Sequence, residues 1–272
     1  MDYISIYFAF VLYILPADSQ SYTNNAGMLS MPTDIPVGTV SINLNNNKIS
    51  SIPSSTLTGR YAVSYFSIMS NSLTSFPDLS VIGNTLKELH LEYNQIVTID
   101  GGYLQSLVVL ETLDMMNNDL TSVPNVPMPL LSFLAMRDNH FTQMPQISTL
   151  GEKLTVYSLS VNYGLHKASA DDFYGLDSLT NLYLYKTSIQ SMPDFRNVKN
   201  TLQYLKITDV PLLSHAGVSE MAVMQNFGSL MISGTSLALI PSSCPLDPAA
   251  VNIVASPGQL QLCHCSMIWL KV

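Results

Sequence analysis

Residues 86–96 read LKELHLEYNQI, with leucine at Leu86, Leu89 and Leu91, then Asn94 and Ile96. A helix would keep its apolar residues three and four apart, and an isolated strand would alternate them. Here the spacing begins at three and shortens to two. That order describes a chain that enters a short strand, keeps Leu89 and Leu91 on one face, and turns sharply near Asn94.

The order recurs along the chain. LETLDMMNNDL puts Leu110, Leu113, Met115, Asn118 and Leu120 at the same offsets, and LSFLAMRDNHF does so with Leu131, Leu134, Met136, Asn139 and Phe141. Looser copies carry Asn47, Asn71 and Asn162 in the asparagine slot, and three more place Thr187, Val210 and Thr235 there. The nine slots fall at 47, 71, 94, 118, 139, 162, 187, 210 and 235, so successive spacings run from 21 to 25 residues. A period of this size is the signature of a solenoid, in which each repeat buries a face that it cannot cover alone.

The motif resembles the leucine-rich repeat family, LxxLxLxxNxL, over about residues 28–270. That resemblance implies an α/β solenoid: a horseshoe with a parallel concave β-sheet and mostly irregular convex segments. It implies about nine repeats in residues 39–241. It also implies that Asn71, Asn94, Asn118, Asn139 and Asn162 form a ladder satisfying backbone groups where each strand ends. An amide side chain suits this task because it both donates and accepts, and each buried backbone group left unpaired costs about 1–3 kcal/mol. Thr187 and Thr235 supply part of such bonding and Val210 none, so the ladder is expected to be weakest near the eighth repeat.

The second half of many repeats ends in a proline step, at Pro53, Pro77, Pro124, Pro145, Pro193 and Pro241. Proline fixes φ and disfavours a helical residue before it. Extended or irregular convex segments are therefore expected, with helix only in DDFYGLDS (171–178) and HAGVSEMAVMQNF (215–227).

Both ends of the chain differ from the repeats. An apolar run from Ile4 to Leu15, then Pro16 and the small residues Ala17 and Ser19, reads as a secretory signal over residues 1–19, although Asp2 rather than a basic residue precedes it. The run is too short for an ordinary spanning helix, and no other membrane anchor is read from the chain. Residues 20–38 resemble the N-terminal cap of an extracellular leucine-rich repeat protein without its cysteines. Residues 242–272 resemble a partial C-terminal cap, with Cys263, Cys265 and Trp269 in matching positions. Cys244 is the only other cysteine, so at most one intrachain disulfide forms and one thiol is left over.

Composition narrows the function. A net charge of -8 and a pI of about 4.9 argue against a nucleic-acid partner, which requires a basic face. Cys263, His264 and Cys265 lack the ligand number and spacing of structural zinc, and His90, His140, His166 and His215 fall in different repeats. No metal or cofactor is therefore expected. No nucleophile or metalloprotease motif occurs, and adjacent Asp171 and Asp172 read as a solvated helix start, so no enzyme is expected.

Surface recognition remains. Positions between the inward leucines point out from the sheet and form columns, the middle one running Asn43, Ser67, His90, Asp114, Ala135, Ser158, Tyr183, Lys206 and Met231. Aromatics beside charges dominate binding hot spots. Two groups of candidate ligand-binding residues follow: Glu88, His90, Glu92, Tyr93, Phe133 and Arg137, then Tyr183, Tyr185, Lys186, Tyr204 and Lys206. The leading expectation is a secreted or cell-surface recognition module that binds a protein or glycan ligand through its concave face. The alternative is a structural or intracellular scaffold making protein–protein contacts.

Overall fold

The computed structural model describes residues 20–214, 228–236 and the strand 252–254. The candidate signal segment 1–19, the expected helix 215–227 and the cap residues Cys244, Cys263, Cys265 and Trp269 lie outside the described residues.

Eleven strands form one parallel sheet in which neighbours in sequence are neighbours in space. β1 (Gln20–Thr23) and β2 (Thr39–Asn43) open it, followed by β3 (Tyr65–Ser67), β4 (Glu88–His90), β5 (Thr112–Asp114) and β6 (Phe133–Ala135). β7 (Val156–Ser158), β8 (Asn181–Tyr183), β9 (Tyr204–Lys206), β10 (Ser229–Met231) and β11 (Asn252–Val254) complete it. Each strand from β3 to β10 is three residues long, because only one inward side chain is needed before the coil turns. Leu89 of β4 is fully buried between the outward Glu88 and His90, and Leu86 and Leu91 complete the inward triplet.

Stacked triplets make one continuous core along the horseshoe, running from Ile42 and Leu44 through Leu113 and Leu134 to Leu205 and Leu230. Phe66, Phe141, Tyr157, Phe173 and Phe195 fill its wider parts. A core of this kind is built from nearest-neighbour interfaces rather than long-range closure.

The turn after each strand has its own backbone rule. Asn46, Ser70, Tyr93, Asn117, Asp138, Val161, Lys186 and Asp209 all have φ between 54° and 61°, and Gly234 has φ 68°. Each immediately precedes the asparagine slot. The left-handed residue swings the chain inward, so the next side chain points into the coil. Glycine stands there once; Val161 is the costliest occupant, since a β-branched side chain resists this conformation.

Asn118 shows what the slot achieves. Its amide donates to the carbonyls of Leu91 and Met115 at 3.0 and 3.1 Å, while its oxygen accepts the Ile96 N–H at 2.9 Å. Asn71, Asn94, Asn139 and Asn162 bridge neighbouring coils in the same way. Asn47 is a further rung, accepting from Met28 N–H and donating to the Asn24 carbonyl. Beyond Asn162 the slot changes. Thr187 donates to Leu184 within its own repeat, and Val210 is buried and apolar.

The convex side corrects the helix expectation. DDFYGLDS supplies only a single 3-10 turn, Ala170–Phe173, tied down by the Asp172 carboxylate accepting from Ser169 N–H and Oγ–H. A short helix not expected from the sequence, α1 (Gly101–Gln105), starts where Asp100 accepts the N–H groups of Gly102 and Tyr103. Its two glycines hide it from a propensity reading, whereas its capping aspartate favours it. Further 3-10 turns cover Ser54–Leu57 and Ser80–Ile82. At the N-terminal end β1 extends the sheet, and Met31 and Ile35 cover the first coil.

Candidate functional site

Strand register sets the columns of the concave face. Ser41, Tyr65, Glu88, Thr112, Phe133, Val156, Asn181, Tyr204 and Ser229 align in one, and Asn43, Ser67, His90, Asp114, Ala135, Ser158, Tyr183, Lys206 and Met231 in the next. Glu92, Arg137 and Tyr185 follow their strands on the same side. Tyr93 and Lys186 do not share these columns. They occupy the left-handed turn, where the backbone rotates away from strand geometry, and Tyr93 is exposed. Glu92 also departs from expectation: it is buried among its neighbours, with 5% of its surface accessible.

Two patches differ in chemistry. The first lies on β4 and β5. His90 Nδ1 is 3.1 Å from Glu92 Oε1, and Nε2 is 3.8 Å from Glu88 Oε2. Tyr65 packs against the imidazole with ring centroids 5.3 Å apart. Asp114, one repeat along the middle column, accepts the Met116 N–H on Oδ1 at 2.9 Å. Ligand atoms of His90, Glu92 and Asp114 all lie within 4.8 Å of one another.

Burial of so much acid shapes its protonation. Burial alone pushes the His90 pKa down, but hydrogen bonding to Glu88 and Glu92 and the charges of Glu92 and Asp114 more than reverse this, raising it to about 10. Burial pushes the Asp114 carboxyl up, and the Glu92 charge adds to the effect, to about 8, against the pull of the Met116 N–H and of His90. Tyr65 is raised by burial and by the charges of Glu92 and Glu88, against a hydrogen bond with Ser67.

The second patch is cationic and aromatic. Lys206 Nζ stands 4.5 Å from the Tyr185 ring centroid, and the Arg137 guanidinium 5.5 Å from it. Tyr183 and Tyr204 stack at 5.3 Å. Burial lowers the Lys206 pKa, and Arg137 and Lys186 add to the effect, against Asp209. Phe133 sits on β6 between the two patches.

Column spacing could have found the first patch. His90 and Asp114 are 24 residues apart, one repeat, and a histidine compared only with other histidines hides that neighbour. The buried polar atoms without a hydrogen-bond partner among the described residues are Glu88 Oε2, Glu92 Oε2, Arg137 Nε, Tyr157 OH, Ser158 Oγ and Ser160 Oγ. All but Tyr157 belong to concave columns.

A parallel strand-and-turn solenoid with an inward asparagine slot defines a solenoid repeat protein. The leucine rich repeat family model matches residues 64–120 and 84–141, and the fold around them is a leucine-rich-repeat solenoid. Human leucine-rich repeats and immunoglobulin-like domains protein 1 is 26% identical over 167 residues, covering 61% of this chain and 13% of that protein. Tsukushi of Xenopus tropicalis is 27% identical over 164 residues, 58% of this chain and 45% of its own length. Keratocan of Gallus gallus is 32% identical over 146 residues, 51% of this chain and 40% of its own. This chain thus spans less than half of each relative.

Among solved structures, a chain of the octameric complex of latrophilin 3, Unc5D and the leucine-rich repeats of FLRT2 superposes with a TM-score of 0.60 at 19% identity, over 87% of this chain and 90% of that one. The functional domain of InlJ from Listeria monocytogenes gives 0.53 at 15% identity, over 80% and 58%. At these identities the likeness establishes the fold alone.

Proposed function

We propose that the protein is a secreted or cell-surface recognition module, without enzymatic activity, that binds a protein or glycan partner through the concave face. The observation that carries this reading is the cluster of Tyr183, Tyr185 and Tyr204 with Lys206 on the adjoining strands β8 and β9, joined by Arg137 from the end of β6. Aromatic rings held by neighbours lose little entropy on binding, and Arg and Tyr are enriched among residues that dominate interfaces. Similarity to a protein named for immunoglobulin-like domains fits the extracellular setting, since such domains are common on cell surfaces. No helix among the described residues is long and apolar enough to cross a membrane. On this reading residues 1–19 are a signal peptide, 20–38 and 242–272 are caps, and 39–241 are the repeats.

The test is a screen of the purified chain against arrayed ectodomains and glycans, repeated with Tyr185→Ala and Lys206→Glu. Partners that bind the natural chain and lose at least tenfold in affinity with either variant support the reading. Partners that bind both variants as tightly, or a chain retained in the cytoplasm of a secretory cell line with residues 1–19 uncut, overturn it. The second result would favour an intracellular scaffold.

A further inference from the structure

The acidic patch on β4 and β5 asks for something that the protein alone does not supply. Glu92 offers Oε1 to His90, yet its Oε2 is buried with no hydrogen-bond partner among the described residues. Its side chain retains only 7% exposure. A buried, unpartnered carboxylate oxygen beside a second carboxylate is costly unless a proton or a cation stands between them.

The geometry favours a cation. Two ligands of one tetrahedral ion at about 2.0–2.1 Å lie roughly 3.3 Å apart, and His90 Nδ1 and Glu92 Oε1 are already 3.1 Å apart. The limit of 4.8 Å on the His90, Glu92 and Asp114 set therefore requires closure of about 1.5 Å at most. Rotation of a carboxylate about its χ angles supplies that.

The surroundings are also those of a metal-binding imidazole. Ligating histidines are usually oriented by a carboxylate on the other ring nitrogen. Glu88 Oε2 lies on the Nε2 side of His90 at 3.8 Å and has no other partner. Closing that gap would place the proton on Nε2 and turn the Nδ1 lone pair toward Glu92 and Asp114. Tyr65, packed against the ring at a tilt of 38°, limits its rotation. Asp114 is held by the Met116 N–H.

We propose that His90, Glu92 and Asp114 bind one divalent transition cation of the zinc class, with Glu88 as the positioning residue that orients the imidazole. One nitrogen and two carboxylates suit such an ion. Calcium requires six to eight oxygens, more than these side chains offer. Three protein ligands leave a coordination position open toward the concave side for water or a group from a partner. The site does not depend on the binding reading above, because the ion is held by this chain's own residues.

Isothermal titration with Zn²⁺ tests this on the secreted chain, stripped with chelator and with thiols alkylated so that Cys244, Cys263 and Cys265 do not compete. The expected result is one zinc per chain, not displaced by millimolar Ca²⁺. Glu92→Gln and Asp114→Asn should each weaken binding at least tenfold. Glu88→Gln should weaken it about tenfold while leaving the Co²⁺ absorption spectrum unchanged in shape, because the ligand set is preserved. Circular dichroism confirms that each variant folds. If one does not, ¹⁵N spectra of the chain carrying His140→Gln, His166→Gln, His215→Gln and His264→Gln, so that His90 is the one histidine left, report whether Zn²⁺ shifts His90 Nδ1. Absence of stoichiometric zinc, or zinc bound equally by Glu92→Gln and Asp114→Asn, overturns the proposal, the first result leaving a proton as the bridge between the carboxyls.

Discussion

The first two thirds and the last third of this solenoid obey the same strand register but solve the problem of the turn differently. From Asn47 to Asn162 every slot holds an amide that ties two coils together, whereas the Thr187 hydroxyl bonds within its own repeat and the Val210 side chain is apolar. The concave surface changes along the same axis. It is acidic and imidazole-bearing at β4 and β5, and cationic and aromatic at β8 and β9. The same backbone thus carries a polar-locked segment with an anionic face and an apolar-locked segment with a cationic one. Slot chemistry and surface chemistry are set by different positions of the repeat, so they can vary independently.

The sharpest way to break this contrast is at a rung. Asn118→Ala orphans the Ile96 N–H and removes the bonds to the Leu91 and Met115 carbonyls, all inside the coil. It should cost about 3 kcal/mol or more in urea unfolding. Thr187→Ala loses one hydroxyl bond and should cost about 1 kcal/mol. Equal losses at the two sites would remove the distinction between the two segments.

A second test uses pH on the chelator-treated protein. Asp114 binds its proton more tightly folded, at about 8, than at its ordinary value of 3.8, and His90 does so at about 10 against 6.5. Tighter proton binding in the fold means that stability from these groups is complete at low pH and declines as pH rises. The decline spans about 4 to 8 for Asp114 and 6.5 to 10 for His90, with Glu88, Glu92 and Tyr65 as the other titratable groups facing them. Melting temperatures at pH 5, 7 and 9 should fall in that order, and Asp114→Asn should flatten the drop between 5 and 7. A slope of the opposite sign would show that these carboxyls are not crowded.

At the cationic end the expected change is smaller. Lys206→Met removes one cation over Tyr185 but keeps the aliphatic stem, so the stability change should stay within about 1 kcal/mol. High salt should shrink it little, because the contact is partly buried.

Much of this was legible in the leucines. Leu86, Leu89 and Leu91 state the strand, and repetition at 21 to 25 residues states the parallel stacking that a single copy could not. What a row-by-row reading loses is relation between rows. His90 and Asp114 are ordinary residues in their own repeats and become a cluster only through the register of β4 with β5. Glu92 reads as surface because it follows an inward leucine, yet its neighbours in the column enclose it. The left-handed position was invisible for another reason. Its occupants, including Tyr93, Val161 and Lys186, share no side-chain property, because the stacked coils impose the conformation on whatever residue stands there.

The smallest expected effect inverts the sign of the largest electrostatic one. Asp194 accepts hydrogen bonds from Arg196, on Oδ2 from the guanidinium Nε at 2.7 Å and on Oδ1 from the backbone N–H at 3.0 Å. These bonds hold its pKa below the usual carboxylate value, against a slight opposing effect of burial. A carboxyl depressed in the fold contributes stability that is present above its unfolded pKa and is lost as pH falls through the folded one. Asp194→Asn should therefore leave melting unchanged in slope above pH 5 and make the acid limb below pH 4 slightly shallower. Asp114→Asn acts only on the side above that window. The Arg196 partner is mostly solvent-exposed, so the Asp194 effect stays small and disappears in high salt, whereas the effect of the half-buried Asp114, crowded by the buried Glu92, is screened less. If both aspartates responded to salt alike, the division between an enclosed acidic patch and an open convex surface would fail.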